Sequence, residues 1–166
     1  MQYARSNLRE RGVLDEFDRK ILAIVQRDSQ IKAEAIADQV GLSASAVQRR
    51  LRALRAAGII RAEIAVVDPK AAGQAMSFIA GLEVERDNYD VLQKLQAWAD
   101  RTEAIQQLYY VTGAVDLVAV ILARDVEDYD AITARMMRDN PLIRRITTNV
   151  VLKPLKVGLY VPMGED

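Results

Sequence analysis

The chain has 166 residues, 51% of them apolar and 28% charged, a composition that supports a buried core and a length that suits two compact units of about 60–100 residues each. Cysteine and histidine are both absent, which excludes disulfides, thiolate nucleophiles, Cys/His zinc sites and imidazole acid–base chemistry. The net charge is zero, but residues 1–62 carry 12 Lys/Arg against 7 Asp/Glu, giving +5, and residues 63–166 carry 11 against 16, giving −5, so only the first half suits a polyanion.

After a polar leader from Met1 to Arg11, residues 14–26 place Phe17, Ile21, Ile24 and Val25 at helical spacing, with Asp15 as N-cap and Asp18 three residues on. The carboxylates Asp15, Glu16 and Asp18 suit the positive end of a helix and read as start residues, not as paired catalytic acids. A shorter helix spans Ala33 to Val40 and is stopped by Gly41. Ser43 then caps a third helix, Ala44 to Ala57, in which Val47, Leu51 and Leu54 form the buried stripe at about 100° per residue. Ser45, Arg49, Arg52 and Ala56 face the opposite side, Gln48 and Arg55 one flank, and Arg50 the other flank near the apolar edge. Gly58 closes this helix, and Ile59-Ile60 begins an extended segment.

A helix, a Gly-containing turn and a helix with an arginine-rich outer face is the arrangement that enters the major groove of double-stranded DNA. No acidic residue lies between Ala44 and Ala62. The expected DNA contacts are Ser43, Ser45, Gln48, Arg49, Arg50, Arg52 and Arg55, with base edges read from the outward face and phosphates met by the long cations. Arg50 has two readings, a phosphate contact or a pair with a first-helix carboxylate. A solvated basic helix in an ordinary bundle is the plain alternative for the whole face.

Extended residues 64–67 and the Pro69 and Gly73 punctuation mark a linker, here 63–75. The apolar period then changes. Met76 to Val84 reads as a strand with Phe78, Ala80, Leu82 and Val84 on one face; Asn88 to Asp100 follows as a helix through Tyr89, Leu92, Leu95 and Ala99. Two further strands, Gln106 to Val111 and Leu117 to Leu122, flank the turn 112–116. A helix from Val126 to Met137, a break at Asn140-Pro141 and an extended run from Ile143 to Leu155 complete the order βαββαβ. The fold class is therefore α+β: a helix-turn-helix, winged-helix-like domain over 1–62, joined by 63–75 to a ferredoxin-like domain over 76–166. Both central strands are apolar nearly throughout, so the sheet face that the helices leave open calls for a cover, most simply a second copy. Trp98 and the Met136-Met137 pair read as helix-face packing.

Leu14-Asp15, Asp18 to Leu22, Ile36-Ala37, Gly41-Leu42-Ser43, Val47, Arg50-Leu51, Leu54 and Gly58-Ile59-Ile60 together resemble the DNA-binding half of the leucine-responsive/asparagine-type (Lrp/AsnC, feast/famine) bacterial regulators. Lys32 departs from the pattern where a capping Ser or Thr is usual, as do Ala53 and Arg55 where a basic and an acidic residue are common. The turn Thr112-Gly113-Ala114-Val115-Asp116 is similar to the family's T-G-x-x-D, and Thr147 to Leu152 with Lys156 resembles its last strand. The resemblance implies a dimer, with tetramer and octamer open, and a small effector, commonly an amino acid, in a cleft between subunits. It also places Gly113, Asp116 and Thr148 near that cleft. Gly suits a carboxylate through bare backbone donors and Asp suits an ammonium; read without the resemblance, the same turn is an ordinary hairpin.

The implied function is a sequence-specific, effector-responsive transcriptional regulator, cytoplasmic, without a membrane span, cofactor or metal. Two other classes stand beside it. One is a non-specific architectural DNA-binding protein on the same basic helix. The other is an enzyme on this fold, as the sirohaem decarboxylases are; those rely on histidine, and no spacing here assembles another acid–base or nucleophile set.

Overall fold

The computed structural model describes residues 14–85 and 89–164. The polar leader and the expected helix start at Asn88 lie outside the described residues, as does the side chain of Tyr89. The chain divides into two compact units, the first comprising Met1–Ala65 with Val157–Asp166 and the second Val66–Lys156. The expected division, which kept 76–166 together, differs at its end, because residues past Lys156 return to the first unit.

In that unit, α1 (Glu16–Val25), α2 (Ala33–Val40) and α3 (Ala44–Ala56) enclose one apolar cluster of Ile21, Ile36, Ala37, Val40, Val47 and Leu51. Asp15 caps α1 through a reciprocal capping box: its carboxylate accepts from the Asp18 backbone N–H at 2.8 Å, and the Asp18 carboxylate accepts from the Asp15 N–H at 3.4 Å. The buried positions of α1 are Ile21 and Leu22, whereas Phe17, Ile24 and Val25 are half-buried; the expected stripe omitted Leu22. Gly41 ends α2 at φ +72°, the left-handed conformation that costs glycine little. Ser43 Oγ then accepts from the Ala46 N–H, capping α3. At the far end of α3 the Gly58 and Ile59 amides bond the carbonyls of Arg55 and Leu54, a Schellman ending. No strand follows in this unit among the described residues; residues 61–67 are exposed.

The start of α2 is the weak point in this scheme. Lys32 occupies the N-cap with extended backbone and no side-chain bond to the helix, and it puts a cation at the positive end of the dipole. Lys32→Thr is expected to stabilise the first unit by about 1 kcal/mol. A denaturant midpoint no higher than that of the parent chain would refute this.

The last described residues return to this unit. The side-chain amide of Gln26, at the end of α1, donates to the Val161 carbonyl at 3.1 Å and accepts from the Val161 N–H at 2.7 Å. The Arg27 guanidinium stands 4.9 Å from the centroid of the Tyr160 ring. The tail thus touches α1 through the two main-chain groups of Val161 and through Tyr160 under a cation, while Val157, Leu159 and Val161 stay exposed.

The second unit is a four-stranded antiparallel sheet in the order β2-β3-β1-β4, from β1 (Met76–Val84), β2 (Ile105–Tyr110), β3 (Leu117–Ala123) and β4 (Ile143–Val150). With α4 (Tyr89–Ala99) and α5 (Val126–Asp139) it gives the expected βαββαβ order. Period-2 alternation decides the faces: Phe78, Ala80, Leu82 and Val84 of β1 and Leu117, Ala119, Ile121 and Ala123 of β3 are all buried with residues of the helices. Val91, Leu95 and Trp98 are the buried face of α4, rotated from the expected Leu92 and Ala99. The Trp98 indole explains the rotation, because its N–H donates to Asp139 of α5 at 3.0 Å and carries the ring inward. Met136 is buried but Met137 is 40% exposed, so only the first of the pair packs. On the opposite sheet face Ile79 and Tyr109 are exposed, beside half-buried Val118, Val120 and Leu122.

Candidate functional site

The apolar faces of α1 and α2 hold α3 by its Val47, Leu51 and Leu54 side, so its opposite side is presented to solvent. Ser45, Gln48, Arg49, Arg52 and Arg55 are all exposed along it. Ser43 stands at its start, where its hydroxyl already caps the helix and lies 3.1 Å from the Ser45 hydroxyl. The face carries cations and small hydroxyl or amide groups and no carboxylate of its own, the chemistry suited to phosphates and base edges.

The arginines of this face are not equivalent. Arg50 Nη1 donates to Asp15 at 2.7 Å and to Asp18 at 2.8 Å, and the guanidinium lies 5.5 Å from the Phe17 ring centroid. Of the two roles open to Arg50, the structure shows the carboxylate pair, which clasps α3 to the start of α1 through the capping-box residues themselves. Arg55 Nη2 is 2.7 Å from Glu63 Oε1. Arg52 makes a long bond, 3.4 Å, to the Gln48 carbonyl, and Arg49 has no carboxylate partner among the described residues. Glu63 is absent from the sequence-based expectation. Its only signal is weak: it is the first carboxylate after an acid-free stretch from residue 39 to 62.

The clasp has an acid signature. The Asp18 N–H holds the Asp15 carboxyl below its ordinary value of 3.8, and Arg50 adds to this against the opposing effect of burial. A carboxyl depressed in the folded state stabilises fully above its unfolded value, and that stabilisation is lost as pH falls through the lower folded value. The first unit is therefore expected to weaken below about pH 4, and Asp15→Asn to show a shallower acid limb in a thermal-midpoint titration. Equal limbs would exclude Asp15 as a source of the acid sensitivity.

In the second unit, Gly113 and Asp116 share the β2–β3 turn. Gly113 has φ +131° and nothing within 4 Å of where a Cβ would stand. Asp116 is tied to β1, its N–H donating to the Leu82 carbonyl and its carboxylate accepting from the Val84 N–H, both at 2.9 Å. Thr148 stands elsewhere, opposite Ala80 on β4, with its Oγ1 2.5 Å from the Tyr129 hydroxyl of α5. Burial pushes the Tyr129 phenol up, with the Thr148 bond opposing. A groove of about 640 Å³ runs between α4 and β2, lined by Gln96, Asp100, Glu103, Gln107 and Tyr110 among others, and none of Gly113, Asp116 and Thr148 lines it.

The turn is seated by a close approach. A Cβ added to Gly81 would lie 2.9 Å from Val115 Cγ1, and β-branched Val115 has little rotamer freedom to retreat. Gly81→Ala is expected to cost about 1–3 kcal/mol, most of it recovered by adding Val115→Ala. A destabilisation that the second change leaves untouched would place the clash elsewhere.

A three-helix unit with a basic presented helix thus stands on the same chain as a four-stranded sheet covered by two helices. Residues 14–61 match the winged helix-turn-helix DNA-binding family and residues 77–160 the Lrp/AsnC ligand-binding domain, and the chain belongs to the Lrp/AsnC family. It is 35% identical over 150 residues to an uncharacterised HTH-type transcriptional regulator of Sinorhizobium fredii, covering 90% of this chain and 89% of that one. Its fold is similar to the crystal structure of an AsnC-family transcriptional regulator from Agrobacterium tumefaciens, with a TM-score of 0.83, 26% identity and coverage of 90% and 97%. It is similar at the same TM-score to a transcriptional regulator of Neisseria meningitidis solved as an L-Met complex, with 21% identity and coverage of 91% and 97%. The chain is thus a DNA-binding regulator with an effector domain, and no helix among the described residues is long and apolar enough to cross a membrane.

Proposed function

We propose that this regulator binds operator DNA as a cytoplasmic homodimer or larger homo-oligomer, and that a free amino acid bound by the second unit changes the arrangement of its recognition helices. The carrying observation is α3, whose buried side is fixed by α1 and α2 and whose outer side offers Ser45, Gln48, Arg49 and Arg52. Arg49 and the residues of the first turns meet base edges, and Arg52 meets phosphate. Arg50 serves as the clasp that sets the angle of the helix. Exposed Ile79 and Tyr109 beside Val118 and Val120 give the sheet an apolar face that a second copy covers, and pairing brings two recognition helices to two half-sites.

An amino-acid effector is supported by the L-Met bound to the Neisseria relative. Gly113 on its exposed turn offers main-chain donors to a carboxylate. The carboxylate of Asp116 serves Val84, and the hydroxyl of Thr148 serves Tyr129, so these two shape the site from one chain while the facing subunit closes it. The chain acts by binding and not by catalysis.

A fluorescence-anisotropy titration on the DNA upstream of its own gene, against scrambled DNA, at two salt concentrations and with each free amino acid, tests the whole reading. Salt-sensitive preference for the upstream DNA, shifted by one amino acid, is the expected result. Equal affinity for both duplexes would replace it with an architectural role.

A further inference from the structure

We propose that Glu63 is an acidic latch on the DNA-binding face: by holding Arg55 it withdraws one cation from the phosphate backbone and sets the affinity of α3 for DNA of any sequence. This rests on the reading of α3 as the recognition helix. Arg55 lies in the last turn of α3, and its Nη2 stands 2.7 Å from the Glu63 carboxylate. Recognition helices read bases from their N-terminal residues, so a cation in the last turn faces the sugar–phosphate backbone.

The two paired arginines of the helix differ in what their pairs accomplish. The Arg50 pair joins two helices, and Asp18 within it is only 18% exposed. The Arg55–Glu63 pair joins the helix to an exposed segment, with both side chains open to solvent at 45% and 38%, and it packs nothing. A pair so exposed is weak, so removing the carboxylate leaves the fold of the first unit almost unchanged. While the latch is closed, Arg55 is neutralised and the negative carboxylate stands where a phosphate would approach. Once it opens, Arg55 displaces one further counterion from the DNA.

The test uses the full chain and compares the parent, Glu63→Gln, Arg55→Ala and the double variant by anisotropy on the upstream duplex and a scrambled one, over a range of salt. Glu63→Gln is expected to bind both duplexes about 3- to 10-fold more tightly, with the log–log salt slope steeper by about 0.9. In the Arg55→Ala background the same change is expected to do nothing, since no latch remains to open. Unchanged or weaker binding overturns the latch. So does poorer discrimination between the two duplexes without tighter binding, which would make Glu63 a buttress for base reading by Arg55. A gain that survives Arg55→Ala would assign the effect to general charge and also overturn it. Absence of binding by every variant, the parent included, removes the DNA-binding reading itself and the latch with it.

Discussion

Replacing Phe78 by Ala is expected to cost the second unit about 3–5 kcal/mol, a large share of the stability of any domain of this size. Phe78 is 1% exposed in the first half of β1, flanked by Ile121 and Val150 in register, and its ring stacks on Tyr129 with centroids 3.9 Å apart and planes 15° apart. Truncation removes the transfer energy of the ring, leaves a cavity under α5 and strips Tyr129 of its partner. Tyr129 in turn carries the bond to Thr148, so the tie between α5 and β4 loosens as well. At about 4–8 °C per kcal/mol for a domain of this size, the thermal midpoint should fall by tens of degrees. A fall of only a few degrees would mean that the ring is not the keystone of this sheet.

The second large effect concerns DNA. Arg49→Ala with Arg52→Ala is expected to weaken binding about a hundredfold or more, and to flatten the log–log salt slope by about 1 for each phosphate that the variant no longer neutralises. Arg50→Ala is expected to behave differently, because its guanidinium is engaged by Asp15 and Asp18. It should lower the stability of the first unit by about 1 kcal/mol after allowance for solvent screening, seen as a lower thermal midpoint, and leave the salt slope unchanged. A slope change for Arg50→Ala equal to that for Arg52→Ala would return Arg50 to the interface and undo the division of labour on α3.

These contrasts mark what could be read along the chain and what could not. The caps at Asp15 and Ser43, the Gly41 stop, the Val47–Leu51–Leu54 stripe and the bounds of β1 follow from local rules, since each depends on residues within one or two turns or on strict alternation. The family motifs likewise indicate the class. The pairing of Arg50 does not follow locally, because both of its readings fit the helical wheel and only the approach of α1 brings Asp15 and Asp18 to it. The rotated face of α4 has the same origin: Trp98 is drawn inward by Asp139, 41 residues away. At the effector turn, the pattern supplies residue types suited to an amino acid but not their bonding. Asp116 is engaged by Val84 through a sheet contact that no spacing in the turn encodes. Glu63 is illegible for a different reason, since a single carboxylate past the helix end carries no periodic signal.

The docking of Val161 on Gln26 also dictates an order of events during synthesis. Domains generally fold as they emerge, the N-terminal one first, at about 5–20 residues per second. Here α1, α2 and α3 leave the ribosome first, yet the segment that seats on α1 follows the whole of Val66–Lys156, roughly 5–20 s later at that pace. A chain cut short anywhere in the second unit would carry a recognition helix without its strap. The last contacts of the DNA-binding unit thereby wait for the whole second unit to be made.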